Sequence, residues 1–186
     1  MRITGGIARG IVLKTVDEPI LRPATDYLRQ AIFSSLGDVI QGATFLDIFA
    51  GVGSYGLEAW SRGASNGLFI ENNAHISSIL TRNHASVKKS IGAQNDCRIW
   101  HCDALKTEIY EQFDLIFIDP PYALARNSGA EILSKAKTWL RATNHSRIIF
   151  EMPVDLQLPP PEGMAIFKRI EKRGKNSPAA VIYGFN

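Results

Sequence analysis

Five short apolar runs, at residues 45–48, 67–70, 97–101, 115–118 and 147–150, alternate with stretches of helical spacing, and that alternation limits the fold more than any other feature of the chain. Parallel strands need long crossovers, which helices supply, so the pattern predicts a doubly wound α/β domain with helices on both faces of a mostly parallel sheet. One helix is predicted from near Asn73, with Ile76, Ile79, Leu80, Val87 and Ile91 on its apolar face, and another over 130–140. Upstream, Thr25 or Asp26 is placed to cap a helix carrying Leu28, Ala31, Ile32, Leu36, Val39 and Ile40, a pattern that Gly42 ends. The last two apolar runs, 164–170 and 179–185, are too closely spaced for a parallel crossover and are expected to form an antiparallel hairpin. Residues 2–13 read as a small hairpin turning at Gly5-Gly6. The 186 residues then form one domain, with an N-terminal extension (1–24) and a core (25–186).

The fourth run stops in Asp119-Pro120-Pro121-Tyr122. Pro120 keeps Asp119 out of the α region, and two prolines without N–H groups end the strand ladder. A rigid acceptor beside an aromatic ring then sits at the carboxyl end of a strand, where open α/β sheets bind ligands. Such a pair suits a planar amine.

After the first run comes Gly51-Val52-Gly53-Ser54-Tyr55-Gly56, a G-x-G-x-x-G between a strand and a helix, and Glu71 closes the second strand. Glycines let a ligand approach the backbone, and an acid there can accept both hydroxyls of a ribose, so NAD and S-adenosylmethionine both fit. Asp47, just ahead of the loop, favours the latter. A pyrophosphate at the helix N-terminus would be repelled by an extra carboxylate, whereas an ammonium and a sulfonium would be attracted. Asp103 ends the third strand on the same edge and is placed to accept from an adenine amino group, with Ala104 offering a backbone N–H. A simple helix cap at Asp103 is the competing reading.

Composition is that of an ordinary globular protein, 45% hydrophobic and 21% charged, with a net charge of +3. Lys168, Arg169, Lys172, Arg173 and Lys175 concentrate positive charge near the end, either for an anionic partner or to protect an edge strand. Cys97 and Cys102 are the only cysteines and lie too close together to staple a fold, which points to a reducing compartment. No metal is expected, because Cys97 and His101 face one side of a strand and Cys102 the other. No signal peptide or membrane span is read, so a cytoplasmic, non-membrane protein is expected.

Together these residues resemble class I S-adenosylmethionine-dependent methyltransferases, and more narrowly the RsmD-type 16S rRNA guanine-N2 methyltransferases. The similarity covers nearly the whole chain and rests on several blocks. They are Arg2-Ile3-Thr4-Gly5-Gly6 with Arg9-Gly10, Leu21-Arg22-Pro23-Ala24-Thr25-Asp26 with Arg29 and Ile32-Phe33, Leu46 to Gly53 with Gly56-Leu57-Glu58-Ala59, Ile70-Glu71, and Asp119-Pro120-Pro121-Tyr122. Ile11, Gln30 and Val52 depart from the family's usual basic residue, Glu, and Ser or Thr.

The resemblance implies a Rossmann-like sheet of seven strands with the C-terminal antiparallel hairpin. It implies S-adenosylmethionine bound by Asp47, Phe49, Ala50, Gly51, Gly53, Glu71, Asn72, Asp103, Ala104 and Asp119. Catalysis falls to Asp119, Pro120, Pro121 and Tyr122: the aspartate and the Pro120 carbonyl accept the two amine hydrogens and Tyr122 stacks on the extruded base. Arg2, Gly5, Gly6, Arg9, Arg22, Thr25, Asp26 and Arg29 are implied as RNA contacts. The implied partner is 16S rRNA or a small ribosomal subunit assembly intermediate, met by a monomer. A DNA adenine-N6 or cytosine-N4 methyltransferase using the same tetrapeptide is the alternative.

Overall fold

The computed structural model describes residues 1–15, 24–92, 96–171 and 177–185, with residues 24 and 25 in backbone only. Within it are α1 (Ala24–Leu36), a 3₁₀ turn (Gly37–Ile40), β1 (Thr44–Asp47), α2 (Ser54–Ser61), β2 (Asn66–Glu71) and α3 (Ala74–Ile91). There follow β3 (Arg98–His101), β4 (Leu115–Ile118), α4 (Tyr122–Trp139), β5 (Arg147–Pro153), β6 (Met164–Glu171) and β7 (Pro178–Phe185). The seven strands form one sheet in the order β3-β2-β1-β4-β5-β7-β6. The first five are mutually parallel, and β7 runs antiparallel to both β5 and β6, as the spacing of the last two apolar runs predicts.

Strands buried on both faces read as unbroken apolar runs, and β4 (Leu-Ile-Phe-Ile) is fully buried. Its side chains alternate between two cores. Leu115 and Phe117 join Phe45, Phe69 and Ile149 on the face covered by α1, α2 and α3, while Ile116 and Ile118 join Leu46, Leu68 and Phe150 on the face covered by α4. Because β1 connects outward to β2 and β4 connects outward to β5, the strand order reverses between β1 and β4. That switch point leaves a crevice at their carboxyl ends.

Two expectations need correction. α4 begins at Tyr122, not near residue 130, because Pro121 at φ −51° occupies the N-cap and the chain turns helical immediately after it. The N-terminal segment is a hairpin, but Gly5-Gly6 is not a tight two-residue turn. One bridge joins Arg2 to Val12, and the Ile3 N–H donates to the Ile11 carbonyl at 2.9 Å, with a wide loop between them. Gly6 (φ +77°) instead lies against the end of α2, where an added Cβ would stand 1.8 Å from the Ser61 carbonyl oxygen.

This segment is clasped to the core by buried charge. Glu58 of α2, fully buried, accepts from the Thr4 N–H (2.8 Å) and hydroxyl (2.7 Å) and from Arg62 Nε (2.7 Å), and Arg29 Nε of α1 lies 3.4 Å away. Arg29 also donates to the Arg2 carbonyl at 2.6 Å and to Asp26 at 2.8 Å. A second tie is Asn83 of α3, which exchanges hydrogen bonds with the backbone of Lys14 (2.8 and 2.9 Å) and donates to the Val52 carbonyl in the glycine loop (2.9 Å). Asp47, at the end of β1, accepts from the Gly56 N–H at 3.0 Å and so joins strand to helix beneath that loop.

Two outcomes follow. Glu58→Ala removes the fully buried carboxylate that Thr4, Arg62 and Arg29 share, leaving Arg29 with Asp26 as its counter-ion among the described residues, and is expected to cost about 3–5 kcal/mol, read from the urea midpoint. Burial pushes the Asp47 carboxyl up from 3.8 to about 7, so the folded state binds a proton that the unfolded chain has released. Its contribution is therefore full below about pH 4 and is lost as pH rises through 7, on the order of 4 kcal/mol. Asp47→Asn removes that slope: relative to the variant, the wild type should lose stability between pH 5 and pH 8 in denaturant titrations.

Candidate active site

The crevice at the carboxyl ends of β1, β2, β4 and β5 is a cleft of about 550 Å³. One wall is the glycine loop, with Phe49, Ala50 and Gly51 facing the space. The loop is shaped by its own backbone: the Ala50 N–H donates to the Ile70 carbonyl (3.0 Å) and the Gly53 N–H to the Ala50 carbonyl (2.8 Å). Gly51 takes φ +53°, and an added Cβ there would meet nothing within 4 Å, so the loop backbone is open where it borders the cleft. Gly53, at φ +91°, works from below. It precedes α2, and a Cβ would come within 2.5 Å of Leu80 and 2.8 Å of Leu57.

Glu71, at the end of β2, lines the cleft and fastens the loop. Its Oε2 accepts from the Gly51 N–H at 2.9 Å and its Oε1 from the Asn73 N–H at 2.8 Å. A carboxylate has about four acceptor positions, so these bonds orient Glu71 and leave capacity for the vicinal hydroxyls of a sugar. Asn72 beside it is exposed, with its carbonyl 3.1 Å from His101 Nε2. Asp103 and Ala104 lie in a narrow slot that adjoins the cleft through Phe49, Glu71 and Asn72. The Asp103 carboxylate accepts from the Leu105 N–H at 2.9 Å and so closes a local turn, but no helix follows it to be capped.

The opposite wall is Asp119-Pro120-Pro121-Tyr122. Asp119 is the first residue beyond β4 and is half-buried, Pro120 is buried, and Tyr122 opens α4. Beside them stands Glu151 of β5, 4% exposed and on the cleft wall. The Tyr55 hydroxyl hydrogen-bonds Glu151, and the Tyr55 ring stacks on Phe117 at 5.7 Å and 12°. Burial, and then the charges of Glu151 and Asp119, hold the Tyr55 phenol well above its usual range, so it stays protonated and donates.

Several expected contacts are placed elsewhere. Asp47 is buried beneath the loop and does not line the cleft, so its carboxylate supports the loop through Gly56 and is not exposed to a ligand. Arg29 was expected at the RNA surface, but it is 1% exposed and held by Glu58 and Asp26, because its guanidinium is the cation that offsets the buried glutamate. Asp26 is half-buried and paired with it. Gly5 and Gly6 serve close packing against Ser61 and Arg62. Arg2 and Arg9 are exposed, and Met1 lines the cleft, so the hairpin reaches its rim. Arg22, the Thr25 side chain, Lys172, Arg173 and Lys175 lie outside the described residues.

Sequence reading missed Glu151, Tyr55, Asn83 and the clasp on Glu58. A signal existed for two of them: Glu151 interrupts the apolar run 148–152, and Asn83 sits on the apolar stripe between Ile79 and Val87 of α3. A polar residue on a buried face needs a partner.

A family model described as conserved hypothetical protein 95 matches residues 1–183. Ribosomal RNA small subunit methyltransferase D of Escherichia coli (strain K12) is 34% identical over 161 residues, covering 86% of this chain and 78% of that protein. The protein of the same name from Haemophilus influenzae is 31% identical over 169 residues, covering 90% and 86%. Among solved structures, yhhF from Escherichia coli superposes with a TM-score of 0.83 at 31% identity, covering 100% of this chain and 98% of that one. TrmN from Thermus thermophilus, at 21% identity and a TM-score of 0.68 over 86% of this chain and 48% of that one, shares the fold alone. With the sheet order and the cleft at its switch point, these matches show a class I methyltransferase fold, and the chain belongs to the conserved hypothetical protein 95 family, that of the RsmD-type methyltransferases.

Proposed function

We propose that this chain uses S-adenosylmethionine to methylate the exocyclic N2 amine of a guanine in small-subunit ribosomal RNA, acting as a cytoplasmic monomer on 16S rRNA or on a partly assembled subunit. Family membership and relatives named as ribosomal RNA small subunit methyltransferases support the broader statement, S-adenosylmethionine-dependent methylation of ribosomal RNA. The finer reading is carried by one observation: Asp119-Pro120-Pro121-Tyr122 borders the same cleft as the glycine loop and Glu71.

The cleft fits an adenosyl group. Glu71 offers acceptors for the ribose hydroxyls, Gly51 leaves the loop backbone accessible, and Asp103 with Ala104 lies in the adjoining slot for the adenine edge. When bound, the cofactor supplies an electrophilic methyl group on a sulfonium. The protein's share is to prepare the amine. Guanine N2 is a poor nucleophile because its lone pair is delocalised into the ring. Asp119 and the Pro120 carbonyl each accept one N–H, which draws the nitrogen toward a tetrahedral shape and aims its lone pair. Tyr122, fixed at the first position of α4, stacks on the base that has left its helix. Asp119 then passes the released proton to water, a light task because the methylated ammonium is itself acidic. The exposed Arg2 and Arg9, on the hairpin whose Met1 lines the cleft, meet the RNA backbone.

Asp119→Ala should lower the methylation rate about 10²–10³-fold or more while leaving S-adenosylmethionine affinity by calorimetry nearly unchanged. Activity equal to wild type would contradict the assignment. Arg2→Ala with Arg9→Ala should weaken RNA binding and flatten its dependence on log salt by about two slope units. The direct test of the target is mass-spectrometric mapping of nucleosides in small-subunit rRNA from cells lacking the gene: loss of one N2-methylguanosine supports the reading, and a missing methyl on DNA adenine or cytosine would replace it.

A further inference from the structure

Glu151 plays no part in the amine chemistry described above, yet it is a buried carboxylate on the wall of the reactive cleft. Its position follows from register. β4 and β5 are parallel with Ile118 opposite Phe150, and Asp119 and Glu151 are the next residues along these two neighbouring strands, which lie about 4.8 Å apart where they pair; both line the cleft. Both lie near Tyr55, whose phenol feels the charge of each. Tyr55 stacks over Phe117 and gives its hydroxyl hydrogen to Glu151. That bond orients the carboxylate, a group with roughly four acceptor positions.

Two carboxylates side by side form an unusual recognition surface, and the hydrogen bond from the Tyr55 hydroxyl favours the ionised, accepting form of Glu151. The amino bases differ in what stands next to the amine. Guanine presents N2–H and N1–H as adjacent donors, whereas adenine beside N6 and cytosine beside N4 present a ring nitrogen lone pair. A flipped base is read along this edge. With Asp119 on the amine, a second acceptor alongside it is matched by guanine's N1–H and repelled by the lone pairs of the other two.

Resting on the methyltransferase reading above, we propose that Glu151, oriented by Tyr55, is a specificity-determining residue that accepts the N1–H of the target guanine while Asp119 holds N2. It selects guanine over every base whose amine is flanked by an acceptor.

The test uses the full chain and an RNA spanning the mapped guanosine, free or assembled into small-subunit particles. The RNA is made with guanosine or with 2-aminopurine at that position. 2-Aminopurine keeps the N2 amine but carries a lone pair at N1. Wild type should favour guanosine by about 10²-fold or more in kcat/KM, as expected when a site built for an N–H meets an analogue lacking it. In Glu151→Gln, whose amide can donate to a bare N1, that preference should fall at least about tenfold through loss on guanosine and gain on 2-aminopurine, with S-adenosylmethionine affinity unchanged. Tyr55→Phe, which removes that one hydrogen bond but keeps the carboxylate, should narrow the ratio less. An unchanged ratio in Glu151→Gln overturns the proposal, as does a loss of cofactor affinity that accounts for the whole defect. Equal use of both RNAs by wild type overturns it whether or not the variants fold. Failure of wild type to methylate any guanosine strikes the underlying reading instead.

Discussion

Parallel pairing is the constraint on which the rest depends. Once β1, β2, β3, β4 and β5 all run the same way, every carboxyl end falls on one rim, and each connection must cross the sheet to start again. Residues far apart in sequence therefore converge: Gly51, Glu71, Asp119 and Glu151 border one space because Glu71 ends a strand, Gly51 and Asp119 follow one, and Glu151 lies near the carboxyl end of β5. The reversal of order between β1 and β4 opens the crevice that they line. In β4 the two prolines end pairing at the point where the strand reaches that rim, and α4 starts without a connecting loop. Asp119 is thus held between a fully buried strand and a helix, which is how a single carboxylate gains a fixed direction.

Much of this was legible from the residues alone. Strand runs, the antiparallel finish and the Asp-Pro-Pro-Tyr corner are local patterns, and local patterns survive translation into three dimensions when both faces of a sheet are covered. The start of α4 was misplaced by eight positions because its first turns, Tyr122 to Gly129, put only small residues, Ala125 and Gly129, on the buried face, which gives a weak apolar stripe. Buried polar partners were harder to see, since pairing is a tertiary fact. Nothing in the spacing of Arg29 and Glu58 says that they meet, and an arginine near a proposed RNA-binding segment reads as a surface cation until its burial is known.

The N-terminal segment shows how a family motif can encode architecture as well as ligand contact. Gly5 and Gly6 are implied as RNA contacts by the family resemblance. In the fold Thr4 binds Glu58, Gly5 packs on the Arg62 side chain, and Gly6 is required because the backbone at Ser61 leaves no room for a Cβ. The exposed Arg2 and Arg9 remain available to an anion. Asp47 illustrates the same division at the cleft: it stabilises the glycine loop from beneath, while Glu71 both braces the loop and faces the cavity. Carboxylates at successive strand ends are one layer of support and one layer of contact.

The central claim is that the cleft between the glycine loop and the Asp119–Tyr122 corner is where donor and base meet. Its most direct test is a crystal structure of the full chain with S-adenosylhomocysteine. The account predicts the ribose against Glu71 and Gly51 with the sulfur directed toward Asp119 and Tyr122. Density for the ligand at the opposite ends of the strands, in the groove near Asp38 and His145, with the cleft at residues 119–122 left to solvent, would contradict it.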